Sequence, residues 1–239
     1  MDPVVAKRNA QAEERLKNLT LPELREETIT ALDTNLARTA DRYDLIKGAA
    51  QRYGVDPDEL YAKYVIETRG EVHPETPRVS SAGASGPFQL MPNTRKAFAN
   101  PAIKDDFERE ADAAARYMAD MQKRNGFSPD ALSVAYNLGE GKTRQFGGDA
   151  TTTLPTETTN YLAYARYLRP KLRQQTMDAE LAAAAASVPV PKFEKQSWPS
   201  YTMGEESPVA KATAEYDRQV QAARDAKKAE LDQRYKETP

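Results

Sequence analysis

The chain has 239 residues, of which 29% are charged and 39% are hydrophobic, and its mean hydropathy is −0.77. Its formal net charge of −2 favours neither nucleic acid nor an anionic membrane as a partner. The chain has no cysteine and one histidine, which excludes a disulfide framework and argues against a zinc site. We interpret His73, which lies among proline and glutamate residues, as a solvated loop residue rather than part of a Ser-His-Asp triad. No metal and no cofactor are predicted.

Residues 1–40 are predicted to form a polar helical arm. The stretch TLPE at residues 20–23 resembles a capping box with an early proline, which predicts a helix start at this point. The first residues are charged and contain no apolar h-region, so we predict no secretory signal. A further helix is expected to end at Gly54, because glycine suits the left-handed stop of a helix.

The stretch VDPDELYAKYVIETRG predicts a central helix. Asp56 can cap its first turn, and apolar residues cover most of its circumference, so we expect it to be buried. Glu67 falls in the last turn, on the face that carries Leu60 and Tyr64. A carboxylate on this face is costly to ionise, so its pKa should be raised, as a general acid requires. The alternative is a solvated glutamate or one paired with Arg69.

Small residues dominate the stretch SSAGASGPFQLMPNT, which spans residues 80–94. Gly83, Ala84 and Gly86 stand just ahead of a Gln-x-Met-Pro sequence. Small residues let one backbone approach another, or let a ligand approach the backbone, so a close contact is predicted here. The rest of the chain up to residue 172 has helical patterns and almost no alternating strand pattern, which predicts a mainly α fold.

The character of the chain changes after residue 172. Residues 173–208 are rich in alanine and proline, and we interpret them as a linker or an extended arm. Residues 209–239 predict a polar helix with sparse apolar positions, which is expected to pack on a partner protein or on a second copy of the chain. The most apolar run, residues 181–190, is too short to cross a bilayer.

Four stretches occur in a fixed order: YVIETRG, SSAGASGPFQLMP, ALSVAYNLGEG and LPTETTNYL. Together they resemble the motifs of the soluble lytic transglycosylase (SLT) domain, a goose-type, lysozyme-like helical fold that cleaves peptidoglycan. The family motifs read Glu-Ser, Gly-x-x-Gly-x-x-Gln-x-Met-Pro, Ala-Tyr-Asn-x-Gly and Glu-Thr-x-x-Tyr. The resemblance implies a catalytic domain at residues 41–172, with long helical extensions at both ends.

The resemblance also implies roles for individual residues. Glu67 matches the catalytic acid, and Ser80, with Ser81 as its rival, matches a serine near the N-acetyl group of the substrate. Glu157 matches a glutamate with a structural or orienting role. The other implied substrate-binding positions are Gln89, Met91, Tyr136, Asn137 and Tyr161, and Gly83 and Gly86 are implied as supporting residues. The sequence departs from the family pattern at Thr68, at the Pro87–Phe88 pair and in a longer loop after Glu67.

The resemblance implies cleavage of the MurNAc-β-1,4-GlcNAc bond with formation of a 1,6-anhydroMurNAc end. One alternative is a hydrolytic muramidase or endolysin, in which Glu71 or Glu75 would be the second carboxylate. A non-enzymatic alternative is a structural virion or assembly protein that has kept a glycan-binding domain.

Peptidoglycan lies outside the cytoplasm, whereas no signal peptide is predicted. We therefore expect synthesis in a host cytoplasm, packaging in a bacteriophage virion, and local opening of the periplasmic cell wall for the passage of phage DNA. The terminal helices would then bind other virion or assembly proteins, or a second copy of this chain.

Overall fold

A computed structural model describes residues 3–68, 78–192 and 208–237 of the chain. In these ranges the regular secondary structure is helical, and strand-like pairing is limited to isolated bridges at Val79–Ser85 and Ser85–Leu90. The predicted mainly α fold is confirmed. The helices are α1 (Pro3–Lys17), α2 (Glu26–Arg38), α3 (Tyr43–Tyr53), α4 (Pro57–Thr68), α5 (Pro92–Phe98), α6 (Asp106–Asn125), α7 (Pro129–Leu138), α8 (Glu140–Gly148), α9 (Thr156–Ala186) and α10 (Pro208–Glu237), with a 3-10 turn at Ala40–Arg42.

The helices form two compact units, Met1–Leu172 and Arg173–Pro239. The first unit ends where the predicted catalytic domain ends, but it also contains residues 1–40, which the sequence analysis assigned to a separate arm. Leu16 of α1 and Leu32 and Leu36 of α2 are buried in its hydrophobic core. The first forty residues are therefore part of the same packed body as residues 41–172.

Helix α1 is held against the end of α8 by polar contacts as well as by Leu16. The guanidinium of Arg15 donates to the backbone carbonyl of Phe146, to that of Asp149 at 2.7 Å and to that of Thr152 at 2.6 Å. The same guanidinium lies 3.9 Å above the ring centroid of Phe146. These contacts join residues more than 130 positions apart in the chain.

Helix α4 is the buried central helix that its sequence predicts. The Asp56 carboxylate accepts a hydrogen bond from the backbone N–H of Asp58 at 2.9 Å, so the predicted cap is present. Leu60, Tyr64 and Val65 are fully buried. Because α4 is packed by other helices on most sides, its last turn is held firmly in the body of the first unit.

A charged network is buried along α4, one and two turns before Glu67. Lys63 Nζ donates to Glu59 Oε2 at 3.2 Å and to Ser133 Oγ at 2.6 Å. Arg169 of α9 pairs with Glu59 and, at 2.5 Å, with Asp130. Burial lowers the pKa of Lys63, and the charge of Glu59 opposes this shift. The network ties α4 to α7 and α9.

The second unit is formed by residues of α9 from Arg173 onward and by α10. Glu180 of α9 accepts from Lys227 at 2.8 Å and from Arg234 at 2.9 Å, and Arg173 lies 4.4 Å from the ring centroid of Tyr235. The predicted C-terminal helix therefore exists, and it packs on residues of its own chain.

The predicted linker begins as the continuation of α9, and residues 193–207 of it lie outside the described residues. In the part of the chain that the structure describes, no helix is long and apolar enough to cross a membrane.

Candidate active site

Glu67 lies in the last turn of α4 and lines a cleft with a volume of about 680 Å³. Its side chain is half-buried, and Ile66 beside it also lines the cleft. The next residue, Thr68, donates its hydroxyl to the carbonyl of Tyr64 at 2.8 Å, so the departure from the family's serine still closes the last helical turn. The predicted catalytic carboxylate is therefore at the surface of a concave site.

Two tyrosines interact with Glu67. Burial, and after it the charge of Glu67, raises the pKa of Tyr161 well above its ordinary value, and the same two causes act on the pKa of Tyr136. Both phenols therefore stay protonated at neutral pH. The Tyr136 hydroxyl donates to the carbonyl of Phe88 at 2.8 Å, whereas Tyr161 lines the cleft with Glu67. The predicted rise in the pKa of Glu67 itself stays a prediction.

Asn137 lines the same cleft from the end of α7. The buried hydroxyl of Thr158 donates to Asn137 Oδ1 at 2.8 Å, which fixes the orientation of the amide. With Oδ1 engaged, Nδ2 is the group by which Asn137 can donate to a ligand. Glu157, one residue before Thr158, is exposed and also lines the cleft.

The predicted substrate-binding residues of the second motif shape a turn. Ser80 Oγ accepts from the backbone N–H of Ala84 at 3.0 Å. Gln89 has a φ of 46°, and its Nε2 donates to the carbonyls of Arg78 at 3.0 Å and Gly86 at 2.9 Å. These hydrogen bonds of Ser80 and Gln89 stabilise the turn. Among the described cleft-lining residues are Arg78, just before the turn, but neither Ser80 nor Gln89.

Two further residues of that motif are exposed. Met91 is 43% exposed and stands just before α5, and Ser81, the alternative to Ser80, is also exposed. Neither is among the described residues that line the cleft. The structure brings Glu67, Asn137, Glu157 and Tyr161 together, and it leaves the second motif beside this group.

The glycines of the turn are explained by local structure, whereas the sequence predicted the approach of a second backbone or of a ligand. A Cβ at Gly86 would lie 2.9 Å from Nη2 of Arg95 and 3.0 Å from Oε2 of Glu110. These two side chains form an ion pair, in which Arg95 Nε lies 2.5 Å from Glu110 Oε1. Gly86 therefore makes room for this ion pair. Gly83 has open space around it, but its φ of 89° is a left-handed conformation that glycine adopts without strain.

The cleft also contains residues that the sequence analysis missed. Helix α2 contributes Thr28, Ala31 and Asn35, and α9 contributes Asn160 and Tyr164. Their helical spacing could have shown that each set shares one face, but the spacing does not reveal that these faces meet Glu67. Of the residues that the sequence singled out, Arg69, Glu71, His73 and Glu75 lie outside the described residues. Within the described ranges there is no cluster of three or more His, Cys, Asp or Glu side chains arranged for a metal ion.

The candidate site is a cleft among helices, at the end of a buried helix that carries Glu67. Residues 44–157 match the family model of the transglycosylase SLT domain, and this part of the chain belongs to that family. The family match implies that this helical domain is lysozyme-like. Membership of the family indicates lytic transglycosylase activity on peptidoglycan. The match contains Glu67 and Asn137 and ends at Glu157, so that α2 and most of α9 lie outside it.

Replacement of Tyr161 by phenylalanine tests the interaction with Glu67. A phenol beside a carboxylate stabilises its charged form, so its loss should raise the pKa of Glu67. If Glu67 must be protonated to act, the basic limb of the pH–rate profile should move to higher pH, and the rate at neutral pH should change by about tenfold. The measurement is release of dye from labelled peptidoglycan across a pH series.

The matched control is Tyr53→Phe, which removes a hydroxyl that donates to Asp112 rather than one at the cleft. Its profile should follow the wild type. If the basic limb of the Tyr161→Phe pH–rate profile stays where it is in the wild type, this would contradict the interaction between Tyr161 and Glu67.

Proposed function

We propose that the protein is a lytic transglycosylase that cleaves the MurNAc-β-1,4-GlcNAc bond and leaves a 1,6-anhydroMurNAc end. One observation carries the proposal: Glu67 shares a cleft with Asn137 and Tyr161, and both Glu67 and Asn137 lie within the segment that matches the SLT domain. The glycan would lie between α4 and α9, with its glycosidic bond at the Glu67 carboxyl group. The proposed reaction requires neither metal nor cofactor.

The first step is protonation of the leaving oxygen. The Glu67 carboxyl group gives its proton to the glycosidic oxygen, the bond between this oxygen and C1 of MurNAc breaks, and GlcNAc leaves with a free 4-hydroxyl. Positive charge develops at C1, and the acetamido oxygen of the same sugar stabilises it. Asn137 is the better candidate for holding the acetamido group, because it lines the cleft while the Ser80 hydroxyl accepts a hydrogen bond within its turn.

The second step closes the ring. The Glu67 carboxylate, now unprotonated, takes the proton of the MurNAc 6-hydroxyl, and O6 forms a bond to C1. Glu67 is protonated again at the end of the cycle, and no water is consumed. The protonated Tyr161 hydroxyl beside Glu67 supports the intermediate carboxylate state.

Hydrolysis is the second candidate function, and a specific observation favours it over a purely structural role. Glu157 lines the same cleft as Glu67, and a pair of carboxylates is the usual equipment of a glycoside hydrolase. Glu157 could activate a water molecule in place of the MurNAc 6-hydroxyl. The product would then have a reducing MurNAc end.

Mass spectrometry of the soluble products from purified peptidoglycan tests these candidates. We expect muropeptides that end in 1,6-anhydroMurNAc, each lighter by one water than the hydrolytic product. Reducing MurNAc ends would establish hydrolysis and direct attention to Glu157. A folded protein that releases neither product would contradict an enzymatic function and favour a structural role.

We also propose that the protein reaches the cell wall as part of a bacteriophage particle and opens the wall for the passage of DNA. Support comes from the second unit, whose described residues form a highly charged helical pair and contribute nothing to the lining of the Glu67 cleft. Such a unit could bind other proteins of the particle. Absence of the protein from purified particles, measured by mass spectrometry, would contradict this role.

A further inference from the structure

We infer that α2 forms a sugar-binding wall of the Glu67 cleft, in which Thr28, Ala31 and Asn35 contact the glycan. This inference rests on the proposed function and deepens it. It adds a substrate-binding surface from a part of the chain that lies outside residues 44–157, the segment that matches the SLT domain.

The spacing of α2 separates a cleft face from a core face. Thr28, Ala31 and Asn35 recur at intervals of three and four residues, so they lie along one side of the helix. Leu32 and Leu36 lie next to this side and are buried in the core, and Leu32 also borders the cleft. Thr28 and Asn35 are half-buried and Ala31 is exposed, so the cleft face remains accessible to a ligand while the leucines fasten the helix.

Polar contacts fix α2 to the two helices that carry Glu67 and Tyr161. Asp33 accepts from Lys171 Nζ at 2.7 Å and from the Tyr167 hydroxyl at 3.0 Å, and both donors belong to α9. The hydroxyl of Tyr61, on α4, donates to the carbonyl of Leu36 at 3.3 Å. The wall is therefore positioned relative to the catalytic glutamate before any ligand arrives, which lowers the entropy cost of binding.

The chemistry of the wall suits a carbohydrate. The threonine hydroxyl and the asparagine amide can both donate and accept hydrogen bonds, as sugar hydroxyl and acetamido groups require. Ala31 lies between them and has the smallest side chain of the three, which leaves room for a pyranose ring. Helix α9 adds an amide at Asn160 and an aromatic ring at Tyr164 to the same cleft.

The test measures glycan binding without turnover. Each variant is made in the full chain that also carries Glu67→Gln, and the probe is a purified, uncrosslinked strand of alternating GlcNAc and MurNAc. Ala31→Trp fills the space between Thr28 and Asn35, and we expect it to weaken binding by at least about tenfold in calorimetry. Asn35→Ala removes one polar partner, and we expect it to weaken binding by about fivefold.

Ala37→Trp is the matched control, because Ala37 is an exposed alanine of the same helix that does not line the cleft. It should bind the strand like the parent protein. Thermal unfolding shows whether each variant is folded, and Asn35→Ala decides the matter if Ala31→Trp is not.

Several results would overturn the inference. They are parental affinity in a folded Ala31→Trp or in Asn35→Ala, an equal loss in Ala37→Trp, or no strand binding by the parent. The proposed function is judged separately, on the products that the wild-type protein releases. A transglycosylase whose strand binding is unchanged by the α2 substitutions would therefore be distinguished from a protein that cleaves nothing.

Discussion

Replacement of Glu67 by glutamine is expected to abolish the release of peptidoglycan fragments while leaving the fold intact. The glutamine amide cannot donate a proton to the glycosidic oxygen, and it cannot accept the proton of the 6-hydroxyl. Because one carboxyl group serves both steps of the proposed mechanism, the rate should fall at least about a thousandfold. The side chain is half-buried at the edge of a cleft, and glutamine has nearly the same size, so the thermal unfolding midpoint should change little.

Glu157→Gln provides the matched control, because it makes the same chemical change at a second carboxylate in the same cleft. Under the transglycosylase mechanism it should keep most of the wild-type rate of dye release from labelled peptidoglycan. Wild-type activity in Glu67→Gln would refute the assignment of the catalytic acid. Equal losses in the two variants would instead favour hydrolysis by two carboxylates.

Replacement of Glu59 by glutamine is expected to lower the free energy of unfolding by about 3–5 kcal/mol, because it leaves Lys63 buried without a charged acceptor. Lys63 is 0% exposed and Glu59 is 3% exposed, so solvent cannot screen the remaining charge. Ser133 would be the remaining partner of the ammonium group, and Arg169 would lose one of its two carboxylates.

A double variant separates this electrostatic cost from simple loss of packing. Lys63→Met removes the stranded charge and keeps the length of the side chain, so Glu59→Gln combined with Lys63→Met should regain at least about 1 kcal/mol. Urea unfolding followed by circular dichroism provides the measurement. Glu23→Gln, at an exposed position outside the helices, should stay within about 0.5 kcal/mol of the wild type. A double variant less stable than Glu59→Gln alone would contradict this account of the network.

Local signals in the sequence predicted several helix ends. Gly54 ends α3 in a left-handed conformation with a φ of 67°, and Asp56 accepts from the backbone N–H of Asp58 at the start of α4. Each of these signals acts within a few residues, so the sequence contains all of the required information. The helix start predicted at the TLPE stretch was wrong, because α2 begins at Glu26 and has no side-chain cap. Leu19, Leu21 and Leu24 pack against the core instead, and this tertiary packing outweighs the local preference for a capped helix.

The boundary of the catalytic body could not be predicted from local signals. The apolar face of α2 was visible in the sequence as Leu32 and Leu36, but periodicity does not reveal what covers such a face. The partners of the first two helices lie on α8 and α9, more than a hundred residues later. A polar sequence with sparse leucines was therefore interpreted as an arm, although it is part of the core.

The roles of the site residues stay predictions, but the structure shows where each described one lies. The order of the motifs identified Glu67, Asn137 and Tyr161, and the structure brings these three residues to one cleft. Ser80 and Gln89 form hydrogen bonds within the turn, and their predicted contact with substrate stays a prediction. A motif shows which residues recur together, but it does not separate those that contact a ligand from those that hold the backbone which presents them.

The contacts between the two ends of the first unit also constrain the order in which the cleft is assembled during synthesis. Arg166 donates to the carbonyl of Leu16 at 2.8 Å, and Lys171 binds Asp33. Because the ribosome makes α1 and α2 first, these helices must wait for their partners on α9 before they can dock. A nascent chain, or a fragment that stops before α9, therefore has the glutamate but lacks the α9 residues that complete the lining of the cleft.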